Sequence, residues 1–145
     1  MTRDPLEPVR QAFADPSRGI EGLADRLLGL ARSGIGLELE FDRESAGCRT
    51  VARFSDATAF GFVPVPKPVF RAVLVRFSIL CRDQSGQPVS PYSGSAELGP
   101  VSVSFSNTPD SQRLELETPV LRRLEQRVAT PSAAFPVDDA AGVSR

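Results

Sequence analysis

The sequence predicts an α+β fold, in which N-terminal helices pack on an antiparallel, sandwich-like sheet of about five or six strands. Two observations carry this prediction. Ile20, Leu23, Ala24, Leu27, Leu30 and Ala31 recur at i, i+3, i+4 and i+7, the spacing of an amphipathic helix. Several later stretches instead alternate apolar and polar residues with a period of two, and turn-forming residues separate them. The longest such stretch is Arg71 to Arg82, where Val73, Val75, Phe77, Ile79 and Cys81 fall on one side. It reads as the central strand of the sheet. Leu74 and Leu80 on its other side suit an interior strand covered on both faces.

A chain of 145 residues with 41% hydrophobic content is long enough for one core. The expected organisation is a single domain over residues 1–128, followed by a disordered tail over residues 129–145 that is rich in Ala, Ser, Pro and Asp. Seventeen basic and eighteen acidic residues leave a net charge of -1, so the chain has no electrostatic basis for binding nucleic acid or anionic lipid. Histidine is absent, and Cys48 and Cys81 lack C-x-x-C spacing, which excludes a zinc site of finger type. No cofactor is expected. Asp4 and Glu7 interrupt the start where a secretory signal needs an apolar run, and no stretch approaches the roughly 20 apolar residues that cross a bilayer. These features predict a cytoplasmic protein with no membrane insertion and two reduced, buried thiols.

In chain order, Asp4-Pro5-Leu6-Glu7 starts a helix that ends near Ala14, and Asp15-Pro16 starts the main helix, which Gly34 ends. Ile35, Leu37, Leu39 and Phe41 alternate with Gly36, Glu38 and Glu40 as a half-buried strand, and Cys48 to Ser55 returns beside it. Arg49 and Arg53 then lie across from Glu38 and Glu40. Phe60 to Phe70 carries Pro64, Pro66 and Pro68, which predicts an extended crossing over the core edge without full sheet pairing. Val89 to Pro100 reads as an irregular connection with a short extended piece at Ser95 to Leu98. Val101 to Ser106 and Gln112 to Thr118 form a second hairpin around Asn107-Thr-Pro-Asp110, and residues 119–128 form a short helix.

Over Ile20 to Arg82, and most specifically at Val63-Pro64-Val65-Pro66 running into the stretch behind it, the chain resembles an uncharacterised family of small bacterial proteins of unknown function. No activity or catalytic residue comes with the resemblance. It implies an α+β, non-enzymatic accessory protein.

Chemical signals are weak. Glu38, Glu40, Asp42 and Glu44 form the best acidic cluster, but an open strand face offers no apolar pocket to raise a carboxyl pKa. Ser102, Ser104 and Ser106 have no histidine to activate them, and no G-x-S-x-G elbow occurs. The expectation is therefore a non-catalytic module that binds a protein partner or a second copy of itself through a sheet edge or face. Ser102, Ser104 and Ser106 are the candidate contact strand. The alternative is a small ligand-binding protein or enzyme with an apolar pocket lined by Phe54, Phe60, Phe62 and Phe70.

Overall fold

In the computed structural model, which describes residues 4–15, 18–85 and 89–118, the elements follow the order ααβββαβββ. Helices α1 (Glu7–Ala14) and α2 (Gly19–Arg32) precede strands β1 (Gly36–Asp42), β2 (Gly47–Arg53) and β3 (Thr58–Pro64). Helix α3 (Lys67–Ser85) then leads to β4 (Ser93–Leu98), β5 (Val101–Asn107) and β6 (Gln112–Glu117). The strands form one six-stranded antiparallel sheet in the order β3-β2-β1-β6-β5-β4. Two three-stranded meanders thus join at the centre, where Leu37 pairs with Leu116 and Leu39 with Leu114. The fold is α+β, as expected, and its helices and sheet form two layers around one core.

The N-terminal half follows its local signals. Asp4 starts α1 by accepting the Leu6 N–H at 3.0 Å. The α2 stripe buries Leu23, Ala24, Leu27 and Ala31. Gly34, at φ +110, ends that helix in a conformation that disfavours other side chains, and the Ile35 N–H reaches back to the Leu30 carbonyl at 3.2 Å.

Residues 71–82 correct the sequence reading, because the expected central strand is the middle of helix α3. Its apolar residues satisfy both periods. Phe70, Val73, Leu74, Phe77 and Cys81 fall at i, i+3, i+4, i+7 and i+11, and all five are buried, whereas Val75 of the period-2 set is 43% exposed. The prolines read as strand breakers are start signals instead. Pro66 offers its carbonyl to the N–H groups of Val69 and Phe70, and Pro68 occupies the first turn, where no intrahelical donor is needed. A second correction concerns Thr58 to Pro64, which pairs with β2 along its full length, from Arg53 opposite Thr58 to Gly47 opposite Pro64. A third concerns Ser93 to Leu98, which is a regular strand beside β5. The helix expected over residues 119–128 and the tail beyond lie outside the described residues.

The helices share one side of the sheet, with α1 against β3, α2 against β1, β5 and β6, and α3 against β4, β5 and β6. On that side every strand turns in its apolar set, including Leu37, Leu39, Cys48, Val103, Phe105, Leu114 and Leu116. Phe70 and Phe77 of α3 are fully buried, each worth roughly 1.5–3 kcal/mol relative to exposure.

Candidate functional site

The other side of the sheet carries no helix among the described residues, and its residues can be read across the strands from the pairing register. One row runs Ser93, Ser106, Arg113, Glu40, Arg49, Phe62, and the next runs Ser95, Ser104, Glu115, Glu38, Val51, Phe60. The face therefore grades from serine at β4 and β5, through charge at β6 and β1, to aromatic at β3.

Its charged centre is neutralised internally. Glu38 pairs with Arg53 and, at 3.3 Å, with Arg113, which also pairs with Glu115, while Arg49 lies 3.5 Å from Glu40. The expected cross-strand pairing of Glu38 and Glu40 with Arg49 and Arg53 is thus present. Such exposed pairs contribute about 0.2–1 kcal/mol each and mainly hold register. Each of the two strand glutamates thus faces a guanidinium.

Ser102, Ser104 and Ser106 lie on this open face, with Ser102 donating to Glu97 at 2.6 Å. Their strand is not an edge. β5 is flanked by β4 and β6, which corrects the expectation that its backbone is free to recruit another strand. What remains available there is the side-chain face, not the ladder.

The four phenylalanines do not converge on one pocket. Phe70 points from α3 into the core, and Phe54 packs against the core beside the β2–β3 turn. Phe62 lies over Gly47, where any side chain would collide with its ring, so the aromatic covers bare backbone. Phe60 is 77% exposed. It borders an open depression of about 380 Å³ whose floor includes Glu38, Arg49, Val51 and Arg113. A groove of about 530 Å³ lies between α1 and α2, lined by Pro8, Gln11, Arg26 and Leu30 among others, and it contains none of the four phenylalanines.

Neither cysteine is an activated nucleophile. Burial pushes the Cys48 thiol up to about 12 and the Cys81 thiol up to about 11, so both stay protonated near neutral pH. Both are buried, and neither is in a disulfide. No cluster of three or more metal-ligating side chains occurs among the described residues. None of the described helices is long and apolar enough to cross a membrane.

Among the described residues the edges of the sheet are β3 and β4, and hydrogen-bond alternation shows which backbone groups each turns outward. At β3, the Phe54 N–H donates to the Ala57 carbonyl at 2.8 Å, so Ala59, Gly61 and Val63 bond to β2 while Thr58, Phe60, Phe62 and Pro64 face away. Helix α1 covers part of that edge. The Arg10 guanidinium donates to the Phe62 carbonyl and is held by Asp4 at 2.6 Å, while Leu6 packs so closely on Gly61 that a methyl group there would collide with it. The Leu6 N–H, and then Arg10, hold the Asp4 carboxyl below its ordinary value.

At β4, the Asn107 N–H donates to the Tyr92 carbonyl at 2.7 Å. By alternation Gly94, Ala96 and Leu98 bond to β5, and Ser93, Ser95 and Glu97 turn their backbone groups outward. Sequence reasoning missed both edge arrangements. Pro66 and Pro68 before a 3.6-period stripe were the available signal for α3. No local signal marked β4 as an edge.

No protein-family model matches the chain, and no curated protein matches it in sequence.

Proposed function

We propose that this chain is a non-catalytic protein-interaction module of the cytoplasm, working through the face of its sheet that no described helix covers. The observation that carries the reading is Phe60, 77% exposed beside Val51 and Arg49 on a face that no described helix covers. Exposed aromatic and arginine side chains around a shallow apolar spot are the composition of binding hot spots. The serines at 102, 104 and 106 supply an adaptable polar half, where hydroxyls can donate or accept. The Glu38, Glu40, Arg49, Arg53 and Arg113 network presents both signs of charge, which suits a protein surface better than a uniformly charged polymer. Two buried thiols outside any disulfide accord with a reducing compartment. A ligand pocket built from Phe54, Phe60, Phe62 and Phe70 is disfavoured, because these side chains point to different regions.

The test is site-specific photocross-linking in the cells that make the protein. A benzophenone amino acid is placed at position 60, at position 104, and, as a control, at the exposed Gln11 on the helix side. The expected result is one discrete adduct from positions 60 and 104, absent from position 11, whose capture is lost when Phe60→Ala is combined with the probe at 104. Lack of any adduct from the sheet face, or the same adducts from all three positions, overturns the reading.

A further inference from the structure

We propose that α1 is a latch over the β3 edge, which opens as a unit and admits an extended segment of the partner protein as an added strand beside β3. This rests on the reading of the sheet face around Phe60 as the binding site, and it gives the partner its form.

The latch is built from three contacts. The Arg10 guanidinium donates to the Phe62 carbonyl, which β3 turns away from β2. Asp4 holds that guanidinium at 2.6 Å and accepts the Leu6 N–H at 3.0 Å, so one carboxylate fixes both the start of the helix and its arm. Leu6 fills the space over Gly61 that a side chain would take, and it is buried there. Arg10 thus stands where the donor of a neighbouring strand would stand, and Leu6 where an apolar side chain of that strand would lie. Together they imitate an added strand.

Three features let α1 leave without the rest of the fold. It has eight residues, and a helix of that length does not hold itself in water. It is anchored by Leu6, Val9 and Ala12, with Phe13 only partly buried, whereas α2 buries Leu23, Leu27 and Leu28. A groove of about 530 Å³ runs between Pro8 and Gln11 of α1 and Gly29 and Leu30 of α2, so the two helices are not sealed together along that side. Asp15, paired with Arg26 at 3.1 Å, stays with α2 and marks the end about which the latch turns.

What opening uncovers matches an extended segment. Thr58, Phe60 and Phe62 turn their backbone groups outward, and Pro64, with no N–H, ends the ladder. An antiparallel segment would exchange up to about six backbone hydrogen bonds with these three residues. On the helix side it would place an apolar residue over Gly61, in the space that Leu6 vacates. On the open side its next residues would meet Phe60, which is 77% exposed. The partner is therefore a strand-forming segment with an apolar helix-facing side, held by main-chain bonds and by Phe60. Because the closed latch and the segment exclude each other, the apparent affinity is reduced to the fraction of molecules that are open.

Two measurements on the full chain test this. Amide hydrogen exchange read by mass spectrometry should show α1 exchanging through an opening that leaves α2 and β1 protected. Arg10→Ala should speed exchange in α1 roughly fivefold, the worth of one partly buried hydrogen bond, with α2 and β1 at wild-type rates. Exchange of α1 at the rate of α2 in the wild type would mean that the helix leaves only on global unfolding, and overturns the proposal. The second measurement uses the benzophenone amino acid at position 60 in the cells that make the protein. Arg10→Ala should raise the adduct severalfold, because it unlatches the edge without touching the face, and Asp4→Asn should act in the same direction. Val103→Ala, which loosens the core elsewhere, should not raise it. An adduct that Arg10→Ala leaves unchanged or weakens overturns the latch while the binding face stands, and absence of any adduct overturns both.

Discussion

The two edges of the sheet solve the same physical problem differently. At β3 the outward carbonyl of Phe62 is taken by Arg10, 52 residues earlier in the chain, and Pro64 at the strand's end has no N–H to offer. At β4 the outward groups of Ser93 and Ser95 meet no such device among the described residues, and the exposed Tyr92 immediately precedes the strand. The difference teaches that an edge is closed by parts brought from elsewhere in the chain, so a strand's own composition does not say whether it is open.

The largest effect tests the layer on which both edges depend. Phe77→Ala removes a fully buried ring between α3 and the sheet and is expected to cost about 3–5 kcal/mol, read as a lower denaturation midpoint in urea. A midpoint unchanged from wild type would mean that α3 does not hold the sheet.

Next comes a contrast between an interior strand and an edge. Ser104 lies in β5, and its outward-facing register to β4 means that its N–H bonds to β6. Ser104→Pro should therefore cost on the order of 3 kcal/mol or more and unfold much of the population, while Ser95→Pro on β4 leaves the melting temperature unchanged. Circular dichroism melts of the two variants side by side check this. Equal destabilisation would break the assignment of β4 as an edge.

A smaller effect is expected at the guarded edge. Arg10→Ala uncovers the Phe62 carbonyl and should lower stability by about 1 kcal/mol, because the lost hydrogen bond is only partly buried. Combined with Pro64→Val and Ser95→Pro, it should create a new association through β3, detectable by sedimentation. If that triple variant stays monomeric, Leu6 and α1 alone are enough to shield the edge.

The smallest effect depends on pH. Interactions that lower the folded pKa of Asp4 contribute stability above its ordinary value of 3.8, and that contribution is lost as pH falls through the lowered value. The difference in melting temperature between wild type and Asp4→Asn should therefore be present at neutral pH and shrink toward zero in acid. A difference that grows on acidification would show that the carboxylate is not what holds Arg10.

How much of this was legible in the residues varied along the chain. The serine stripe at 102, 104 and 106 has the pattern of a solvated strand face and lies on the open side of the sheet, but its strand is interior, between β4 and β6. Shared aromatic character groups Phe60 with three other phenylalanines, whereas Phe60 and Phe62 lie on the open face of β3 and Phe70 belongs to helix α3, where it is buried in the core.

By itself the sequence determined α1, α2, the β1–β2 hairpin with its Glu–Arg pairs, and the β5–β6 hairpin. Each rests on interactions between residues a few positions apart or across one tight turn, where turn residues and periodicity suffice. Only the tertiary structure decided residues 67–85 and the sheet order. Val73, Val75, Phe77, Ile79 and Cys81 satisfy a strand period while Phe70, Val73, Leu74, Phe77 and Cys81 satisfy a helical one. Packing against β4, β5 and β6 selects the helix because it buries both phenylalanines at once. Which strands become edges follows from the pairing of β1 with β6, a contact between segments more than seventy residues apart that no local pattern encodes.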